Sequence, residues 1–152
     1  MNPLIANLIV EDVVKTLKGV RQSGGFSSTL DVKDEPVDQQ RITDGATYVS
    51  ASDPEPVPDR APLQHDEYDM VVEIEVYATQ SGAVTSPSVH DRARTYAADA
   101  YKALRRDYTR GGYAWHCEFG QPQPIDVGGA ITGRRITLIV SFRTARDDPF
   151  SQ

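Results

Sequence analysis

The sequence predicts an α+β fold: two helices packed on one face of a mostly antiparallel or mixed sheet of about five strands, in the order α-β-β-β-α-β-β. Three observations carry this. Apolar residues recur every three to four positions in two stretches, one at the start of the chain and one near residue 90, as on a helix with one buried side. They alternate with polar residues in several others, as on a strand with one buried face. Between these stretches lie clusters of Gly, Pro, Asp and Ser, which punctuate elements rather than extend them.

The first helix is expected over residues 3–23. Asn2 and Pro3 suit its cap and first turn. Ile5, Leu8, Ile9, Val13, Leu17 and Val20 form its apolar stripe, and Gly24-Gly25 can end it. Phe26, Ser28, Leu30 and Val32 alternate with polar neighbours, so a first strand is expected over 26–32. Residues 34–44 are polar and contain Pro36, and read as a loop; Thr47 to Ser50 reads as a short second strand. Four prolines between Asp53 and Pro62 exclude a helix or a central strand and leave an exposed connector.

The third strand is expected over 68–79. Met70, Val72, Ile74 and Val76 point one way; Asp69, Val71, Glu73, Glu75 and Tyr77 point the other. Ser81-Gly82 and Ser86-Pro87 mark the loop that follows. Ser88 then caps a second helix, with Asp91 near its positive end. Val89, Ala93, Tyr96, Ala97, Ala100, Tyr101, Leu104 and Tyr108 form its stripe, and Gly111-Gly112 ends it. A fourth strand is expected over 113–119, with Tyr113, Trp115, Cys117 and Phe119 on one face. Residues 121–129, rich in Pro and Gly, read as a turn or loop. The final strand is expected over 130–143, kinked at Gly133, with Ile136, Leu138, Val140 and Phe142 buried. Residues 147–152 read as a loose tail. The chain of 152 residues is long enough for one domain with a real core.

Composition narrows the function classes. Hydrophobic residues make up 39% and charged residues 25%, which suits a globular protein and not a disordered one. The net charge of −6 and pI near 5.0 argue against a nucleic-acid-binding surface, which needs clustered Lys and Arg. They do not argue against a surface past which DNA slides. A single cysteine forms no internal disulfide. No signal peptide or membrane span is expected, and the expected setting is a reducing cytoplasm.

No metal site or cofactor is expected. His65, His90 and His116 lie far apart and match no ligand spacing. Cys117 reads as a small buried hydrophobe rather than a nucleophile. Glu73 and Glu75 are the best catalytic-looking pair. On one strand face they stand about 7 Å apart, near the spacing of an inverting glycosidase pair. The plainer reading is the solvated face of a half-buried sheet, which alternates this way routinely. Arg134, Arg135, Arg143 and Arg146 make the last strand locally basic. With Glu73 and Glu75 they are read as candidates for cross-strand and intersubunit pairing. Arg143→Glu is therefore expected to leave the fold intact and impair assembly.

Three segments carry a resemblance to a known family. They are the opening NPLIANLIVEDVVKTLKGV, the internal pair DMVVEIEVYAT and HDRARTYAADAYKALRRD, and the closing ITLIVSFRTARDDPF. In order and character the chain resembles the tail terminator proteins of long-tailed bacteriophages. The sharpest part is Phe142-Arg143-Thr144 followed by Asp148-Pro149, a feature that related connector proteins share.

The resemblance implies a non-enzymatic virion protein at the neck end of the tail, assembled in the host cytoplasm. It implies a ring, commonly a hexamer, that caps the tail tube, stops its polymerisation and presents the surface that joins the head. Its implied partners are further copies of itself, the tail tube protein and a head-completion protein, with DNA passing through the lumen unretained. The loops 34–44 and 53–66 would be natural contacts for tube or head. Within the same class, a head-closure or tail-tube subunit is the alternative. From other classes, the alternatives are a small hydrolase using Glu73 and Glu75, and a bacterial protein-binding module.

Overall fold

The computed structural model describes residues 4–61, 64–80, 88–128 and 130–152. The expected cap at Asn2-Pro3, the loop signals at Ser81-Gly82 and Ser86-Pro87, and Pro62 and Gly129 lie outside them. The fold is α+β, with a mixed sheet and two α-helices. In chain order the elements are α1 (Ile5–Lys18), a 3-10 turn at Gln22–Gly24, β1 (Asp31–Val32), β2 (Ala46–Ala51), β3 (Glu55–Pro56) and a second 3-10 turn at Pro58–Arg60. There follow β4 (His65–Thr79), α2 (Val89–Arg105), β5 (Ala114–Phe119), β6 (Gln123–Gly128) and β7 (Ile131–Ala145).

The sheet is built on β4 and β7. They pair antiparallel over their whole length, from His65 opposite Ala145 to Thr79 opposite Ile131. The other edge of β4 is shared by β2 and β3, and the other edge of β7 by β5 and β6. β1 pairs parallel with β2, which makes the sheet mixed. Because β4 and β5 are both antiparallel to β7, they run parallel to each other, joined through α2, with β7 between them. The last element of the chain is therefore placed between two strands made before it.

Both helices lie on one face. Ile5, Ile9, Val13 and Leu17 of α1, with Ala97, Ala100, Ala103 and Leu104 of α2, meet Met70, Val72, Ile74, Ile136, Leu138, Val140 and Phe142 in one apolar cluster. Each large aliphatic side chain buried there contributes about 1.5–3 kcal/mol. The alanines of α2 let its backbone approach the sheet. Ser88 caps α2 as its sequence suggests, accepting from the Asp91 amide at 3.2 Å.

Several expectations are corrected. Helix α1 stops at Lys18, closed by Gly19, so residues 19–23 do not continue the α-helix, and Gln22–Gly24 form a separate 3-10 turn. The first strand shrinks to Asp31–Val32 because Ser27 and Ser28 are drawn to α2: the Ser28 hydroxyl donates to the buried Asp99 carboxylate at 2.5 Å. Residues 123–128, read as loop, form the edge strand β6; among the described residues it pairs only with β7, and Pro124 is tolerated in such an edge strand. In β5 the pairing slips between Ala114 and His116, a bulge that turns Ala114 inward and Trp115 outward. Tyr108 falls beyond α2 and is exposed. The tail is not loose. The Ile5 amide donates to Pro149, the Ala145 amide to Ser151, and the Gln152 side chain to the Tyr113 carbonyl.

Strand β7 runs through Gly133 without interruption, and that glycine has a packing reason. A Cβ there would lie 2.7 Å from Cε1 of Tyr77, its cross-strand neighbour. Tyr77 is itself buried against Tyr48. Gly133→Ala is expected to displace the Tyr77 ring and cost about 1–3 kcal/mol. Chemical denaturation measures it; an unchanged midpoint would show that the ring moves freely.

Candidate interaction surface

The side of the sheet away from the helices is set by the odd-numbered residues of β4 and β7. Across the two strands the pairs run Glu67 with Arg143, Asp69 with Ser141, Val71 with Ile139, Glu73 with Thr137, Glu75 with Arg135 and Tyr77 with Gly133. Side chains on one face of paired strands interact directly, so this register dictates the chemistry of the face.

At one end Tyr48, Tyr77 and Ala46 are buried together, flanked by Ile42, Ile125 and Val127. The Tyr77 hydroxyl donates to Glu75; burial first, and then this bond, push its ionisation well above the usual tyrosine range. Next comes a charged cluster. Arg135 donates from Nη2 to Glu75 Oε1 at 2.9 Å, and its Nε lies 3.7 Å from Glu73 Oε2. Val71 and Ile139 follow, with Ile139 exposed. Beyond them Ser141 donates to Asp69 at 2.7 Å, and Arg60 pairs with the other oxygen of Asp69 at 2.6 Å.

The far end holds the least ordinary arrangement. The Glu67 side chain is fully buried. Its Oε1 accepts from the Trp115 indole at 2.6 Å, and the Arg143 Nε lies 4.0 Å away. The Arg143 guanidinium sits 4.8 Å above the Trp115 ring. Trp115 is nevertheless 44% exposed, held in place from beneath by its partners.

Of the six residues read as contact candidates, Glu73, Glu75 and Arg135 are brought together within one chain. Arg143 serves a different cluster at the other end of the ladder. Arg134 faces the helix side, opposite Val76, and its Nε is buried. Arg146 lies past β7 and is exposed, its amide bonded to the Gln64 carbonyl. Sequence reasoning missed Glu67 and Trp115. Glu67 continues the odd-numbered alternation of Asp69, Glu73 and Glu75 and was legible in that pattern; the bulge that exposes Trp115 was not.

This geometry bears on chemistry. A carboxylate acid/base pair divides its labour because its two members sit in contrasting environments. Glu73 and Glu75 share one guanidinium, and Glu75 is the more buried of the two and also accepts from Tyr77. Glu73→Gln is expected to cost less than about 1 kcal/mol, as an exposed pair does. Glu75→Gln is expected to cost about 1.5–3 kcal/mol, since it holds both Arg135 and Tyr77. Thermal melts of the two variants check this; equal losses would mean that the Tyr77 bond adds nothing.

The remaining reactive groups are dispersed. Burial pushes the Cys117 thiol up to about 11. Among the described residues no three His, Cys, Asp or Glu side chains gather as metal ligands. No helix among them is long and apolar enough to cross a membrane. No protein-family model matches this chain, and no curated protein matches it in sequence.

Proposed function

We propose that this chain is a virion structural protein of a long-tailed bacteriophage, a tail terminator that closes into a ring, caps the tail tube and offers the surface that joins the head. The observation that carries the reading is the one-sided sheet. Both helices cover the same face of the β4–β7 ladder, and the other face presents Trp115 and Ile139 to solvent among fixed charges. Rigid, partly aromatic surfaces of this kind suit docking to another protein. The resemblance of the opening, internal and closing segments to tail terminators supplies the identity of the partners: further copies of the chain, the tail tube protein and a head-completion protein.

In this reading Glu73, Glu75, Arg135 and Arg143 shape the outer face through their internal pairs, and Val71, Ile139 and Trp115 supply the contact area. The net charge of −6 suits a lumen that passes DNA without holding it. The role requires no reaction and no cofactor. Disrupting the encoding gene in its phage tests the proposal by electron microscopy of the lysate. Over-length tail tubes that never join heads are expected; normal tails on filled heads would refute it.

A further inference from the structure

The even-numbered residues of β4 and β7 point to the helix side of the sheet. Where β7 ends, α1 begins: the Ile5 amide donates to the Pro149 carbonyl at 3.2 Å. The helix does not close over the strands there, and Tyr68 is only partly buried. Its ring stacks on that of Phe142, its cross-strand neighbour, with centroids 5.5 Å apart. A cavity of about 380 Å³ lies at this place, bounded by the first turns of α1, the end of β2 and the two long strands. Cavities of a few hundred Å³ with apolar walls and a few polar groups are the kind that enclose small ligands.

Met70 and Phe142 are buried in its walls, and Tyr68 completes an aromatic side. Polar side chains line it as well. The Ser52 hydroxyl is engaged, accepting from the Val71 amide at 3.1 Å. Asn7, Asp53 and Tyr68 make no side-chain hydrogen bond or ion pair among the described residues. Thr144 says most. It is 1% exposed, and its hydroxyl has no hydrogen-bond partner. A buried hydroxyl left unpaired lowers stability, whereas valine fills the same shape without that cost. A threonine at this position is explained if a ligand in the cavity meets its hydroxyl. Asp53, exposed at the mouth, is the only charged side chain among the lining residues, so the site disfavours an anion.

We propose that this cavity binds a small aromatic group that carries a hydroxyl and no negative charge. The ring packs on Tyr68, Met70 and Phe142, where aromatic and thioether contacts favour it over an aliphatic group. The hydroxyl pairs with that of Thr144. The site lies on the opposite side of the sheet from Trp115 and Ile139, and it stands whether or not copies of the chain close into a ring. A free phenol and the side chain of a tyrosine share this chemistry.

Nuclear magnetic resonance of the full chain, isotope-labelled at its methionine methyl groups, tests it. The chain has two methionines, and Met70 lines the cavity. Added p-cresol is expected to shift the Met70 signal saturably. Toluene, which lacks the hydroxyl, is expected to bind about tenfold more weakly, the usual worth of one hydrogen bond. The anion p-hydroxyphenylacetate should bind more weakly than p-cresol, and Asp53→Asn should narrow that gap. Thr144→Val is expected to be at least as stable to denaturant as the parent, yet to bind p-cresol no better than toluene. No shift of Met70 with p-cresol would overturn the site. Equal affinity for p-cresol and toluene in the parent, or a preference that survives Thr144→Val, would overturn the role given to the hydroxyl. N-acetyltyrosinamide separates the two sources: tighter binding than p-cresol assigns the group to a tyrosine carried by a protein, and weaker binding to a free phenol.

Discussion

Arg110→Ala is expected to lower stability by about 3–5 kcal/mol, the usual result of removing one partner of a buried ion pair. Arg110 is fully buried between the two helices. Its Nη2 donates to the Leu104 carbonyl at 2.5 Å, and its Nη1 stands 3.5 Å from the Asp12 carboxylate of α1. It thus ties α1 to the C-terminal end of α2 through one guanidinium. Without it, Asp12 keeps its desolvation, which raises its ionisation range, and loses the cation that opposes that rise. For a chain of this size the melting temperature should fall by about 10 °C or more. Arg110→Met combined with Asp12→Leu should recover most of the loss, since it removes both charges and leaves comparable volume. A single Arg110→Ala variant that melts like the parent would mean that the tie contributes nothing.

Arg143→Glu is the second large effect, and it reverses the expectation that this change spares the fold. The sequence shows Arg143 as a basic position on the outward face of an alternating strand, a candidate for intersubunit pairing. The structure places it over Trp115 and beside a carboxylate with no access to solvent. A second carboxylate there would replace the cation nearest Glu67 and leave that buried carboxylate facing a like charge. A loss of about 3 kcal/mol or more is expected, as for other uncompensated buried charges. The chain has one tryptophan, so its fluorescence reports this cluster directly. Arg143→Glu should shift Trp115 emission in the native state and move the unfolding midpoint to lower denaturant. Arg143→Gln should do less of both. Unchanged emission and midpoint in the Glu variant would show that Arg143 is a free surface residue after all.

The frame of the fold was legible because it rests on periodicity. Met70 to Val76 and Ile136 to Phe142 alternate cleanly, so the two long strands and their buried faces follow from side-chain direction alone. The stripes of both helices follow likewise, except that Val20 lies beyond α1 and Tyr108 lies beyond α2 and is exposed. What was not legible depended on contacts distant in sequence. Ser28 leaves its strand for Asp99, 71 positions away. The tail is fixed by Ile5 and Tyr113, which nothing in residues 147–152 announces. Strand β6 carries alternation in Ile125 and Val127, but Pro124 and Gly128 within it and Pro122 before it outweighed that signal until an edge position made them tolerable. On the outer face, charge type was legible and pairing was not. Glu73, Glu75 and Arg135 meet because of the register between β4 and β7, and no spacing along the chain encodes that register.

Copies of this chain are expected to close into a ring. Native mass spectrometry of the purified full chain at rising concentration and low ionic strength tests it most directly. The expected result is one discrete oligomer, a hexamer of six times the 16.7 kDa chain mass, that dissociates as salt is added. A single species of one chain at every concentration and ionic strength would contradict it.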